Sequence, residues 1–314
     1  RDLHRSGQSF PTRRSSDLLN LYSKELNNIE KEITLFHAKV TNEAIKETNS
    51  NIDIIGFHGQ TIFHSAKEMV SKQLGDGKLL SQETKKKVVY DFRQNDLKNG
   101  GEGAPLAPIF HKLISEKIKV EPPLCVINLG GIANITSIES GDISDLGSQD
   151  IGPGNCLIDE WIKKNTNKKY DKDGLIAKSG KKDILILNQA LDNHDNLKKK
   201  NILSYDTKDF DLSFVRGLSL EDGAATLTEF TGKLLAEATL NYISKLKTKP
   251  KKILVCGGGR KNSTLINCLK DNMNIGNLVE NIDNFGVDGD FIESQAFAYL
   301  AIRSRSEERR VGKE

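Results

Sequence analysis

Near the middle of the 314-residue chain, the run SQDIGPGNCLIDEWI (Ser148 to Ile162) sets a single carboxylate, Asp150, against Gly152-Pro153-Gly154, just ahead of residues with helical spacing. Asp and Asn are common at helix starts, where a side-chain oxygen accepts from an unpaired backbone N–H. Asn155 directly precedes CLIDEWI and is the natural cap. That leaves Asp150 for other chemistry, such as taking a proton from a reacting group. Three glycine-rich turns accompany it: NLGGIAN, DIGPGN and VCGGGRKN. Such turns let a backbone approach a ligand, and they bind anions when their N–H groups converge. Sterics alone also places glycine in turns, so no single one identifies a site.

The elements that position these residues are legible from periodicity. Leu19 to Thr48 carries Tyr22, Leu26, Ile29, Ile33, Phe36, Val40 and Ala44 at helical spacing, which predicts one long helix or two broken ones. A short strand over 52–55 precedes a polar cluster, and KKVVYDF is a second strand. The Gly-Gly-x-Gly run near residue 100 gives way, after two prolines, to a helix. LCVINLGGIANITSIES predicts a hairpin with a glycine bend, not the strand-to-helix step of a dinucleotide site. The Walker and G-x-G-x-x-G patterns are both absent. Helix is expected from Leu157 to about Lys200, and again over SLEDGAATLTEFTGKLLAEATLNYISKL. KKILVCGGGRKNSTLINCL predicts strand, glycine turn and a helix capped by Asn262 or Ser263. NLVENID is a short strand and GDFIESQAFAYLAI the last helix, so strands alternate with helices and the fold class is α/β. Asp171 and Asp173 in YDKDG suggest a turn or helix cap instead of a catalytic pair.

Composition narrows the function. With 46 Lys and Arg against 43 Asp and Glu, the net charge is +3, which gives no electrostatic case for nucleic acid. The runs Lys85-Lys86-Lys87 and Lys198-Lys199-Lys200 are expected to be solvated faces. The cysteines Cys125, Cys156, Cys256 and Cys268 have no metal-ligand spacing, and Cys125 and Cys256 lie in apolar runs as small hydrophobes, so no protein-bound metal is expected. No run is apolar and long enough for a bilayer span and no secretory signal is evident, so a soluble, cytoplasmic protein that does not engage membranes is expected.

Taken in order, GFHGQTIFH, DFRQNDLKNGGEGAPLAPIFH, VINLGGIANIT, DIGPGNCLIDEWI, DKDGLIAKSG, LVCGGGRKNSTLI and GDFIESQAFAYLA resemble the anhydro-N-acetylmuramic acid kinase family over roughly Leu19 to Ile302. The resemblance implies an actin-like ATPase or sugar-kinase (ribonuclease H-like) two-domain fold. It also implies ATP-dependent opening of the 1,6-anhydro ring and phosphorylation of O6, a step of peptidoglycan recycling. It makes Asp150 the catalytic base and places His58, Gln60, Thr61, Arg93 and Glu293 at the amino sugar. Gly130 and Gly131 would meet the phosphates of ATP, and Gly257, Gly258 and Gly259 the adenosine, with Mg²⁺ arriving with the nucleotide. An amino sugar is thus the expected partner, and a homodimer is compatible with the sequence.

The family opens with a strand and a phosphate loop of the form G-T-M-S-G-T-S-x-D-G-x-D, which has no counterpart here. Residues 1–18 and 304–314 are Arg-rich in a chain that otherwise favours Lys, and read as a disordered leader and a tail foreign to the fold. Residues 19–122, completed by 291–303, are expected to form an incomplete first domain, and 123–290 the second. On this reading the copy is inactive by truncation. A non-catalytic sugar- or nucleotide-binding relic is the alternative. An actin-like assembly protein is a third class, against which HGQT and DIGPGN count.

Overall fold

A computed structural model describes residues 23–65, 67–198 and 210–311. The expected leader, Lys199, Lys200 and the end of the tail lie outside the described residues. The chain divides into two compact units: the described residues up to Leu106 with those from Ala296 onward, and Ala107–Gln295.

In the first unit, α1 (Ser23–Thr48) is one unbroken helix. Its buried side is not the apolar stripe that predicts it. Thr34 and Ala38 are buried, whereas Phe36 is 64% exposed and Ile29 and Val40 nearly half exposed. The buried side is fixed instead by polar contacts: Thr34 Oγ1 accepts from Asp76 N at 2.9 Å, and Glu30 accepts from Gly75 N and pairs with Lys72. Strand β1 (Ile54–Phe57) pairs in parallel with β4 (Lys87–Tyr90). The polar cluster after β1 continues into a hairpin, β2 (Gln60–Ser65) and β3 (Val70–Leu74), which periodicity does not reveal because its burial does not follow a clean alternation. Helix α2 (Gly77–Thr84), capped by the Asp76 carboxylate, and α3 (Phe92–Lys98) complete the segment before Leu106.

The second unit begins earlier than the expected border at residue 123. Helix α4 (Pro108–Lys117), started by its N1 proline, belongs to it, tied by His111 Nδ1 to Thr136 Oγ1 at 2.8 Å. The centre is a five-stranded sheet in the order β7-β6-β5-β8-β9. Strands β5 (Leu124–Leu129), β6 (Ile132–Ile138) and β7 (Leu146–Pro153) run as an antiparallel meander. Strands β8 (Lys252–Cys256) and β9 (Val279–Asn281) add in parallel beside β5. Alternation then sorts the faces. Cys125, Ile127, Leu129, Ile135, Ile253 and Val255 enter one large apolar core. The even-numbered positions, Asn128 and Thr136 among them, lie on the opposite face.

The helices over that core are more segmented than lysine-rich periodicity suggests. They are α5 (Cys156–Asn165), α6 (Leu175–Ser179), α7 (Ile184–Lys198), α8 (Leu220–Ser244) and α9 (Ser263–Asp271). The break before α6 is made by Asp173 and Gly174, both at positive φ, and Asp171 caps the new helix by accepting from Ile176 N and Ala177 N at 2.9 Å. Ser219 caps α8 and Asn262 caps α9. The last helix, α10 (Ile292–Val311), starts in the second unit, belongs to the first from Ala296, and continues through much of the expected tail.

Burial of His111 makes stability depend on pH. Its pKa is lowered from 6.5 to about 4 because the charged ring would lose its water. The unfolded chain therefore binds a proton more readily below pH 6.5, and stability present above that pH is lost as pH falls toward 4. Urea unfolding at pH 7 and pH 5 should show about 2 kcal/mol more loss in the wild type than in His111→Gln. Equal losses would mean that the ring is protonated without penalty.

Candidate active site

The site of the second unit is built on β5. Paired positions share a face, so Asn128 on β5, Asn134 on β6 and Asp150 on β7 form a row across the sheet. Cys256 on β8 continues the row, its Sγ donating to Asn128 Oδ1 at 3.8 Å. At about 4.8 Å per strand, Asp150 stands ~10 Å from Asn128. Asn128 Nδ2 in turn donates to Glu293 Oε1 at 3.2 Å, at the start of α10.

Asp150 does not sit in a turn, as its glycine-rich surroundings suggest. It lies on β7 together with Gly152 and Pro153. The ladder slips beside it: Asn134 pairs with Asp150 but Ala133 with Gly152, leaving Ile151 as an extra residue. Ile151 is buried, Asp150 is half-buried, and Gly152 has a φ of +134° that favours glycine. A bulge of this kind bends the strand and re-aims the neighbouring side chain.

The turn proper is Gly154-Asn155, and it is locked to the β5–β6 bend. Gly154 N and Cys156 N donate to Gly131 O at 2.9 and 3.2 Å, and Asn155 N to Gly130 O at 2.8 Å. A Cβ on Gly154 would stand 2.2 Å from Gly130 O, so the approach itself requires glycine. Asn155 occupies the N-cap position of α5, yet its side chain makes no cap bond. Its Nδ2 donates instead to Leu129 O and Gly130 O, both at 3.2 Å. The capping role expected for Asn155 is therefore replaced by a bracing one, in which its amide N–H groups serve the carbonyls at the end of β5.

The third turn closes on the same strand end. A Cβ on Gly257 (φ +78°) would meet Asn128 Oδ1 at 2.4 Å, and one on Gly259 would meet Leu129 Cβ at 2.7 Å and the Asn155 amide at 3.0 Å. Gly258 has open space on its Cβ side. Gly130, Gly131, Gly257 and Gly259 are thus gathered round the C-terminal end of β5. Two signals for unrecognised residues stand in the sequence. Asn128 interrupts the apolar run LCVINL, and Arg260, buried directly after the glycines, reaches Asp283, Asp288 and Asp290.

The first unit gathers a separate group. Arg93 on α3 donates from Nε to His58 Nε2 at 2.8 Å and from Nη1 to Gly103 O at 3.0 Å. His58 Nδ1 lies 2.8 Å from Gly59 O, so the neutral ring carries its proton on Nδ1. Burial, then the Arg93 charge, lower the His58 pKa to about 4, with the Gly59 carbonyl opposing. The ring also packs on Phe297, with centroids 4.3 Å apart. Thr61 Oγ1 accepts from Gln73 Nε2 at 3.3 Å, and Gln60 is exposed at the start of β2. The glycine-rich loop after α3 is held by Gly103 N donating to Asp96 Oδ2 at 2.8 Å.

Asn155 separates the two roles experimentally. Asn, Asp and Ser are nearly interchangeable caps. Asn155→Asp, however, would turn a carboxylate toward two carbonyl oxygens, and is expected to lower unfolding free energy by roughly 2–3 kcal/mol. Denaturant titration giving the variant wild-type stability would return Asn155 to the cap.

Comparison with known proteins identifies relatives of this chain. The family model described as anhydro-N-acetylmuramic acid kinase matches residues 15–307, a stretch that starts ahead of Leu19 and ends beyond Ile302. An anhydro-N-acetylmuramic acid kinase of Pelagibacter ubique is 52% identical over 301 residues, covering 92% of this chain and 80% of that protein. Those of Zymomonas mobilis and Rhodospirillum rubrum are 43% and 40% identical, covering 86% and 89% of this chain and 72% of each relative. With its mixed sheet and α/β layout, the chain belongs to the anhydro-N-acetylmuramic acid kinase family.

Proposed function

We propose that this chain uses ATP and water to open the 1,6-anhydro ring of anhydro-N-acetylmuramic acid and to phosphorylate the released O6. The observation that carries the reading is the interlock of Gly130-Gly131, Gly154-Asn155 and Gly257–Gly259 at one strand end, with Asp150 two strands away on the same face as Asn128. Turns of bare backbone suit phosphates, and a carboxylate aimed by a bulge suits proton abstraction.

In this mechanism Asp150 accepts a proton from the water that adds to the anomeric carbon. The C1–O6 bond breaks, its electron pair goes to O6, and O6 takes the phosphoryl group as ADP departs. Bound nucleotide supplies the phosphoryl group and, with Mg²⁺, the charge neutralisation its transfer needs. Gly130 and Gly131 hold the phosphates, and Gly257, Gly258 and Gly259 the adenosine. The open space beside Gly258 fits a ligand lying on that turn. Among the described residues no group of three or more His, Cys, Asp or Glu is placed to hold a metal. Mg²⁺ would arrive with the nucleotide and be held through its phosphates. Glu293, which accepts from Asn128, is assigned to the sugar in this reading.

Gln60, Thr61, His58 and Arg93 line the sugar side. Both ring nitrogens of His58 are engaged, so its part is to orient Arg93. Arg93 suits the lactyl carboxylate that distinguishes a muramic acid. Among the described residues no helix is long and apolar enough to cross a membrane. A cytoplasmic enzyme, acting on a small amino sugar, remains part of this proposal, as does a homodimer.

Asp150→Asn should lower kcat by ~10²–10⁴-fold while calorimetry finds sugar binding nearly intact. A variant keeping more than about a tenth of wild-type turnover lies outside that range and would remove Asp150 from the chemistry. Arg93 is tested by ligand choice. Wild type should prefer anhydro-N-acetylmuramic acid over anhydro-N-acetylglucosamine by roughly 1.5–3 kcal/mol, and Arg93→Met should bind both equally. No preference in the wild type would dismiss the carboxylate contact.

A further inference from the structure

Arg260 is 4% exposed and sits one residue beyond the last glycine of the Gly257–Gly259 turn. Its planar head is fully engaged. Nε donates to Asp283 Oδ1 at 2.9 Å, Nη2 to Asp288 Oδ1 at 3.1 Å, and Nη1 to both Asp290 and Gly257 O, the latter at 3.1 Å. The loop that supplies these carboxylates is shaped to the guanidinium. A Cβ on Gly289 would stand 2.4 Å from Arg260 Nε, so only glycine lets the loop backbone lie there. Gly289 N donates to Asp283 Oδ1 at 2.9 Å, and Gly289 O accepts from Gly257 N at 3.2 Å.

Both backbone polar groups of Gly257 are therefore tied: the carbonyl to Arg260 and the N–H to the loop that Arg260 holds. Gly257 is also the residue at positive φ pressed against Asn128 and Leu129. On the far side, Asp290 lies shortly before Glu293 on the segment leading into α10. One buried side chain thus fixes the glycine turn and the approach to the acid that Asn128 holds.

We infer that Arg260 is a positioning residue: its fork fastens the 283–290 loop to the Gly257 turn and sets that turn in its nucleotide-binding shape. The inference rests on the reading that nucleotide lies on Gly257–Gly259. A lysine cannot replace the fork, because a single ammonium has no rigid plane with which to meet three carboxylates and a carbonyl. Without the guanidinium, Asp283, Asp288 and Asp290 repel one another across the gap, and Lys261, paired with Asp290 from outside, cannot fill it.

The test is titration of the 314-residue chain with a non-hydrolysable β,γ-imido analogue of ATP, at a temperature well below melting. Arg260→Lys and Arg260→Gln should each raise its Kd by roughly tenfold or more, Lys less than Gln. KM for ATP should rise in parallel. Gly258→Val, whose Cβ meets open space in the protein, tests the underlying reading. If it leaves the analogue's Kd unchanged, nucleotide does not lie on this turn and both ideas fall. If it weakens binding while both Arg260 variants stay within about twofold of wild type and merely melt earlier, the reading stands and the positioning role is overturned. Should neither Arg260 variant fold, Asp290→Asn takes their place. It should weaken the analogue severalfold, and an unchanged Kd would again overturn the inference.

Discussion

The second unit depends on what happens to the carbonyls at the end of β5. A hairpin bend leaves several carbonyl oxygens pointing out of the ladder, and here a neighbouring turn supplies their donors. Gly154, Asn155 and Cys156 supply donors from their backbone, and the Asn155 amide adds a further one shared between Leu129 and Gly130. Satisfying these oxygens brings two glycine-rich segments into contact. Glycine is needed because the distances are those of backbone on backbone, with a Cβ on Gly154 nearly on top of Gly130 O. The same strand end then dictates how closely Gly257 and Gly259 approach. Ligand-binding geometry is here a by-product of hydrogen-bond satisfaction.

This arrangement divides labour between the sheet's two faces. Odd-numbered residues of β5 and β8 supply the core that holds α5 and α8 in place. The other face carries Asn128, Asn134 and Asp150, side chains whose burial is tolerable only with partners. Asn128 shows how such a position is made to serve: its amide gives to Glu293 and its oxygen accepts from Cys256. A hydrophobic residue there would pack well and leave Glu293 unheld.

Much of this was legible in the sequence, for identifiable reasons. The β5–β6 hairpin, its glycine bend, the strand before Gly257 and helices α8 and α9 all follow from long apolar runs and strong caps such as Ser219 and Asn262. The hairpin of β2 and β3 was hidden because its burial does not alternate cleanly. The buried side of α1 was hidden because Thr34 and Glu30 turn inward for hydrogen bonds while Phe36 and Val40 stay out. Asp150 could be singled out by type and neighbourhood, but its place on a strand could not, since glycine and proline argue locally for a turn. Arg260 was passed over for a different reason. Its partners lie more than twenty residues away, and no periodicity links a buried arginine to distant acids.

The extra residue at Ile151 also has a bearing on how the chain finds its register. In a regular two-stranded pairing a slip of one residue exchanges the faces, which here would send Asp150 into the apolar core and Ile151 into the open. The bulge makes the two halves of β7 out of phase with each other, so no single slip can satisfy both Leu146–Asp150 and Gly152-Pro153 against β6. The observed alignment pairs both halves while burying Ile151. The irregularity therefore acts against near-miss alignments that a smooth strand would tolerate, and favours the register that carries the carboxylate.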